Sequence, residues 1–137
     1  MKGKTTKWLL QFFGGSLLPF LTWRCLLYLP PSLVGYSHGM FAIVAGLCLP
    51  LTATVGVALG DIFLNRGKKL NIRAVAISFA WALAGEFTGF FILSLFPYLS
   101  TVGGIISFIF VPMIILSLIS YNIVMGKKCE VTHEAEK

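Results

Sequence analysis

Charge is scarce in this chain, and acidic charge scarcest: five Asp and Glu stand against eleven Lys and Arg among 137 residues, 12% charged in all. A soluble domain carries about twice that share. Amphipathic stripes are missing too, because the long apolar stretches are apolar on every side. A soluble helical bundle is thereby excluded. Cysteine is limited to Cys25, Cys48 and Cys129, with no CxxC spacing. This excludes the small membrane thiol oxidoreductases, and the two cysteines inside apolar segments read as small hydrophobes. His38 and His133 both lie outside the apolar blocks, so no pair of helix histidines is there to hold a haem. Cys129 with His133 is too little for a metal site. No nucleophile–base pair, acidic cluster or phosphate loop stands out. The chain is therefore not expected to be an enzyme, nor to carry a metal or cofactor.

What is present is apolar: 57% of the residues, with a mean hydropathy of +0.87. They fall into four blocks at about 8–29, 39–64, 72–96 and 101–125, each long enough for the roughly 20-residue helix that crosses a bilayer. The expected fold is an all-α integral membrane protein, a four-transmembrane-helix bundle made of two helical hairpins. It occupies a single domain over 1–137, with a basic loop at 65–71 and a polar tail at 126–137. The first block has Arg24 and no small-residue cleavage site, so it reads as a helix rather than a cleaved signal peptide.

The connections set the orientation. "PPSLVGYSH" (30–38) and "PYLST" (97–101) carry no Lys, Arg, Asp or Glu, whereas "NRGKKLNIR" (65–73) holds Arg66, Lys68, Lys69 and Arg73. With four crossings, ten of the eleven basic residues share one side, and Arg24 is the exception. The positive-inside rule places both termini in the cytoplasm, in a multi-pass protein of a bacterial or archaeal cytoplasmic membrane. It also accounts for the net charge of +6 without any nucleic-acid partner. Trp8, Tyr28, Tyr36, Tyr98 and Tyr121 fall near the expected interfaces and read as belt anchors.

Helices in lipid associate through close packing, which small residues permit. Ser78, Ala82, Gly85 and Gly89 line one face of the third block, and Ala42, Gly46, Ala53, Gly56 and Gly60 line one face of the second. The two stripes are expected to pack on each other within the chain, or one of them to form a homo-oligomer seam. Pro50 and Pro112 interrupt the second and fourth blocks and should kink their helices.

Three charges remain inside the blocks. Asp61 sits near the basic end of its helix, within reach of Arg66 and Lys68, and reads as an interfacial ion pair. Arg24 can extend its long side chain to the headgroups. Glu86, in "WALAGEFTGFF", is near mid-membrane and too short to do so. Two states are open for it: neutral and hydrogen-bonded, or ionised against Arg24. An intramembrane carboxylate is a functional-site candidate by default, so Glu86 and Arg24 are the candidate substrate- or ion-coupling residues. A structural Glu86–Arg24 pair is the competing reading.

The layout, with "KWLLQFFGG" near the start and "IFLNRGKK" after the second block, resembles the GtrA-like membrane proteins. That resemblance implies four helices and movement of polyprenyl-linked sugars. The aromatic residues that family places after the basic turn are absent. The expectation is a small oligomeric transporter or flippase-like protein with an intramembrane carboxylate as proton, cation or substrate-coupling site. The alternative is a non-enzymatic accessory or assembly subunit of a larger membrane complex. In either case the surroundings are the lipid bilayer and further copies or other membrane subunits.

Overall fold

Lipid offers no hydrogen-bond partner to a bare backbone, so a long apolar segment satisfies its own amides by coiling into a helix. In the computed structural model, which describes residues 2–28, 38–65 and 69–135, the order is α1 (Lys2–Tyr28), α2 (His38–Leu64) and α3 (Ile72–Leu95). There follow a 3₁₀ turn (Pro97–Leu99), α4 (Val102–Ile105), a π turn (Ile106–Phe110) and α5 (Val111–Ala135). α4, the π turn and α5 run on as one rod. Three stretches, Ile43–Leu64, Ile72–Leu95 and Val102–Gly126, are long and apolar enough to cross a membrane. α1 is equally long but carries Lys7, Gln11 and Arg24. The architecture is an all-α, multi-span membrane bundle with three long apolar helices.

The helix ends follow local chemistry. Asn71 caps α3 by accepting from the Ala74 amide at 3.4 Å, and Thr101 caps α4 by accepting from Gly104 at 3.1 Å. Pro97 opens the 3₁₀ turn just after α3 has ended. α5 continues to Ala135, through the segment expected as a polar tail. Nothing between Gly126 and Ala135 breaks a helix, and Lys, Glu and Ala all favour one.

Helices that follow one another in the chain run antiparallel. On α1 and α2, Lys7 meets Asp61, Gln11 meets Gly60, and Gly14 meets Gly56. On α3 and the rod, Asn71 meets Met125, Gly85 meets Pro112 and Met113, and Gly89 meets Phe108. The bundle therefore has a Lys7 end, which also holds Asp61, Asn71 and Tyr121, and an Arg24 end.

Of the two small-residue stripes expected to pack on each other, Ala53 and Ala82 share one core cluster, whereas the close glycine contacts of Gly56, Gly60, Gly85 and Gly89 are made with other helices. A Cβ on Gly56 would strike the Gly14 carbonyl, and one on Gly60 would stand 2.8 Å from the Gln11 Cα. A Cβ on Gly85 would stand 3.0 Å from the Pro112 carbonyl, and one on Gly89 would strike that of Phe108. Gly56 and Gly60 of α2 thus serve α1, Gly46 faces Glu86 of α3, and Gly85 and Gly89 of α3 serve the rod. The reason is reciprocity: α1 offers Gly14 opposite Gly56, and two bare backbones approach more closely than a backbone and a side chain. Ser78 and Ala82 are fully buried, and Ala82 joins Leu49, Ala53, Met113 and Ile114 in a core cluster where α2, α3 and α5 meet. A second cluster, Val57, Ala58, Ala74, Leu118 and Tyr121, fills the Lys7 end.

Proline is accommodated in the rod by a defined route. Pro112 has no amide proton and its ring crowds the carbonyl four residues back. The chain answers with a π turn, in which the Val111 amide donates to Ile106, five residues earlier. Trp81, Phe87, Phe90 and Phe91 all point outward from α3, as lipid-facing side chains do.

Candidate functional site

Two carboxylates are buried among the described residues, on α2 and α3. Asp61 is 1% exposed, and Lys7 Nζ of α1 lies 3.3 Å from its Oδ1. Asn65, one turn on, donates to the same oxygen at 3.1 Å, and the Tyr121 hydroxyl of α5 donates to Oδ2 at 3.4 Å. Both oxygens are thus satisfied, by groups from α1, from α5 and from the residue just past the end of α2. Alongside, Asn122 Nδ2 donates to Gln11 Oε1 at 2.9 Å and to the Leu118 carbonyl at 2.8 Å. These contacts tie α1, α2 and α5 together at the Lys7 end.

This cluster departs from the sequence reading in three ways. The ion pair on Asp61 is made by Lys7; Arg66 and Lys68, the expected partners, lie outside the described residues. Tyr121 is not a belt anchor but is buried, 1% exposed, because its hydroxyl has a carboxylate to bond. Gln11, Asn65 and Asn122 were not singled out at all. A signal was there: Lys7 and Gln11 are one helical turn apart, as are Asp61 and Asn65, so each pair shares a face.

Glu86 is treated otherwise. It is 2% exposed, and neither of its oxygens has a hydrogen-bond partner among the described residues. Its Oε1 lies 3.8 Å from where a Cβ of Gly46 would stand, so the carboxyl is set into the α2–α3 contact at a position kept open by glycine. Pro50 stands one turn beyond Gly46 and cannot donate to that residue's carbonyl. The carboxyl thus faces a stretch of α2 where the helix's own bonding is interrupted.

Arg24 does not reach Glu86. Its Nη2 lies 3.4 Å from the Tyr28 hydroxyl and its guanidinium carbon 5.5 Å from the centre of that ring. A partner four residues along the same helix satisfies it locally, and α1 leans on α2 rather than on α3. Arg24 instead borders an apolar groove of about 640 Å³ between α1 and the α4–α5 rod. Phe12, Phe20, Leu27 and Ile106 help to wall it, and Trp23 packs edge-on against Phe110 at 6.5 Å across it. Neither Glu86 nor the exposed aromatics of α3 line this groove.

No protein-family model, curated protein or solved structure matches the chain, and the GtrA-like layout therefore carries no functional assignment here. Fold and buried groups together define a class: a small all-α, multi-span integral membrane protein with a buried Lys7–Asp61 ion pair.

Proposed function

We propose that the protein is a small transporter or flippase-like protein of four crossings with both termini cytoplasmic, in which Glu86 couples proton or cation binding to substrate movement. The unequal treatment of the two buried carboxylates carries this reading. Asp61 is met on both oxygens, as a structural group should be. Glu86 has no partner among the described residues, and a buried polar group without one is costly to keep. That cost is offset where the carboxyl takes up a proton or cation in a working cycle. α1 supplies the fourth crossing, in keeping with its length and its antiparallel contact with α2. The small-residue seams at Gly56, Gly60, Gly85 and Gly89 are occupied within the chain, so the oligomer is built through other faces.

The test is translocation in reconstituted liposomes, read as the loss of fluorescent phosphatidylglycerol to an external quencher. Glu86→Gln should slow it at least tenfold with the folded yield unchanged. Wild-type translocation with a reduced folded yield would make Glu86 a structural residue. A second reading, an accessory or assembly subunit, draws on the exposed α3 aromatics, which would seat a partner helix. A partner co-purifying in fixed ratio, with no translocation by the isolated protein, would favour it.

A further inference from the structure

We infer that the groove between α1 and the α4–α5 rod binds an anionic phospholipid, its chain along the apolar walls and the phosphate of its net-negative headgroup on Arg24. The walls ask for hydrocarbon: beside Arg24, the polar side chain lining them is Ser16, whose hydroxyl is already engaged with the Phe12 carbonyl at 2.7 Å. The mouth asks for an anion. Arg24 is the charged residue on the groove, and the hydroxyl and ring of Tyr28 that it contacts are neutral. A guanidinium presents a planar fork that fits phosphate oxygens in pairs.

The geometry matches a lipid in one leaflet. Arg24 is one turn from the end of α1 at Tyr28, at the level where headgroups and interfacial aromatics meet. From there to Phe12 the helix runs about 18 Å, somewhat more than half of the roughly 30 Å hydrocarbon core. A free phosphate would leave the apolar walls uncovered. A second copy would leave the charge unmet, because the two carboxylates among the described side chains, Asp61 and Glu86, are both buried. The inference is independent of the role given to Glu86.

Trp23 lines the groove and serves as the reporter. In a Trp8→Phe/Trp81→Phe chain, reconstituted with brominated lipids, its fluorescence should be quenched by brominated phosphatidylglycerol at about one fifth of the mole fraction that brominated phosphatidylcholine requires. That ratio is the size of one basic contact with an anionic lipid surface. Arg24→Gln in the same background should bring the two curves together, with quenching by phosphatidylcholine retained. Equal curves with Arg24 present, or a preference that survives Arg24→Gln, would overturn the proposal. So would a Trp23 that neither lipid quenches, since the groove would then be filled by protein. Arg24→Lys separates charge from geometry: it should keep part of the preference, and a full loss with the helical content unchanged would point to the paired phosphate contact.

Discussion

Asp61 and Glu86 are buried to nearly the same degree, 1% and 2% exposed, in neighbouring helices of one bundle, yet their surroundings are opposite. Asp61 stands at the Lys7 end, where α1, α2 and α5 each bring a polar side chain to it or beside it. Glu86 stands toward the middle of α3, against a glycine, with bare oxygens. The difference shows how a small membrane protein separates holding from working. Polar groups gathered at one end hold helices together and meet both oxygens of Asp61, whereas the carboxylate left unbonded among the described residues lies where Gly46 keeps space beside it; of the neutral buried groups, Gln11 Nε2, Ser78 Oγ and Ser117 Oγ also lack a partner among those residues.

The comparison breaks first at Asp61. Asp61→Leu strands Lys7 and frees Tyr121 and Asn65, and should lower the stability of the bundle by about 3 kcal/mol, read as an earlier midpoint in SDS unfolding. Glu86→Leu should move that midpoint the other way, by about 1–2 kcal/mol, because an unsatisfied buried group is replaced by an apolar one. If both substitutions destabilise alike, Glu86 has structural bonds and the contrast is gone. A smaller effect sharpens the picture at the bonded end: a double-mutant cycle on Gln11→Leu and Asn122→Leu should give a coupling near 0.6 kcal/mol, the usual size for a hydrogen bond between membrane helices. Smallest is Gly46→Ala. Its Cβ would meet Glu86 Oε1 at 3.8 Å, an ordinary contact, so stability should stay within about 0.5 kcal/mol while any uptake at Glu86 slows.

The length and apolarity of the blocks made the helices legible, and the ends near Asn71, Pro97 and Thr101 fell close to the expected positions because those residues act locally, whereas α1 begins at Lys2 and α5 continues to Ala135, beyond the apolar blocks. The choice of partners was not legible. Gly56 and Gly60 advertise a close contact but do not say with which helix; Gly14, on the helix that answers, has Gly15 and Ser16 beside it but no small residue one turn away on its own face. For the site, Glu86 stood out as an acid in an apolar run. The Lys7–Asp61 cluster stayed hidden because its members are spread over three helices and each looks ordinary in isolation. Charge near a helix end reads as topology, and only packing distinguishes Lys7, bonded to a carboxylate, from a lysine placed for orientation.

The π turn before Pro112 has a consequence for how the distal wall of the groove is indexed. One added residue in an α-helix turns everything upstream by about 100°. Val102 and Ile105 in α4 and Ile114 in α5 border the same groove, although they lie on either side of that added residue. Their shared orientation is thus written in the phase of the rod and not in the identity of the side chains. Removing Ser107, which is not a wall residue, would rewind the rod and carry Val102 and Ile105 away from α1, with every wall residue still present and the upper part of the wall gone.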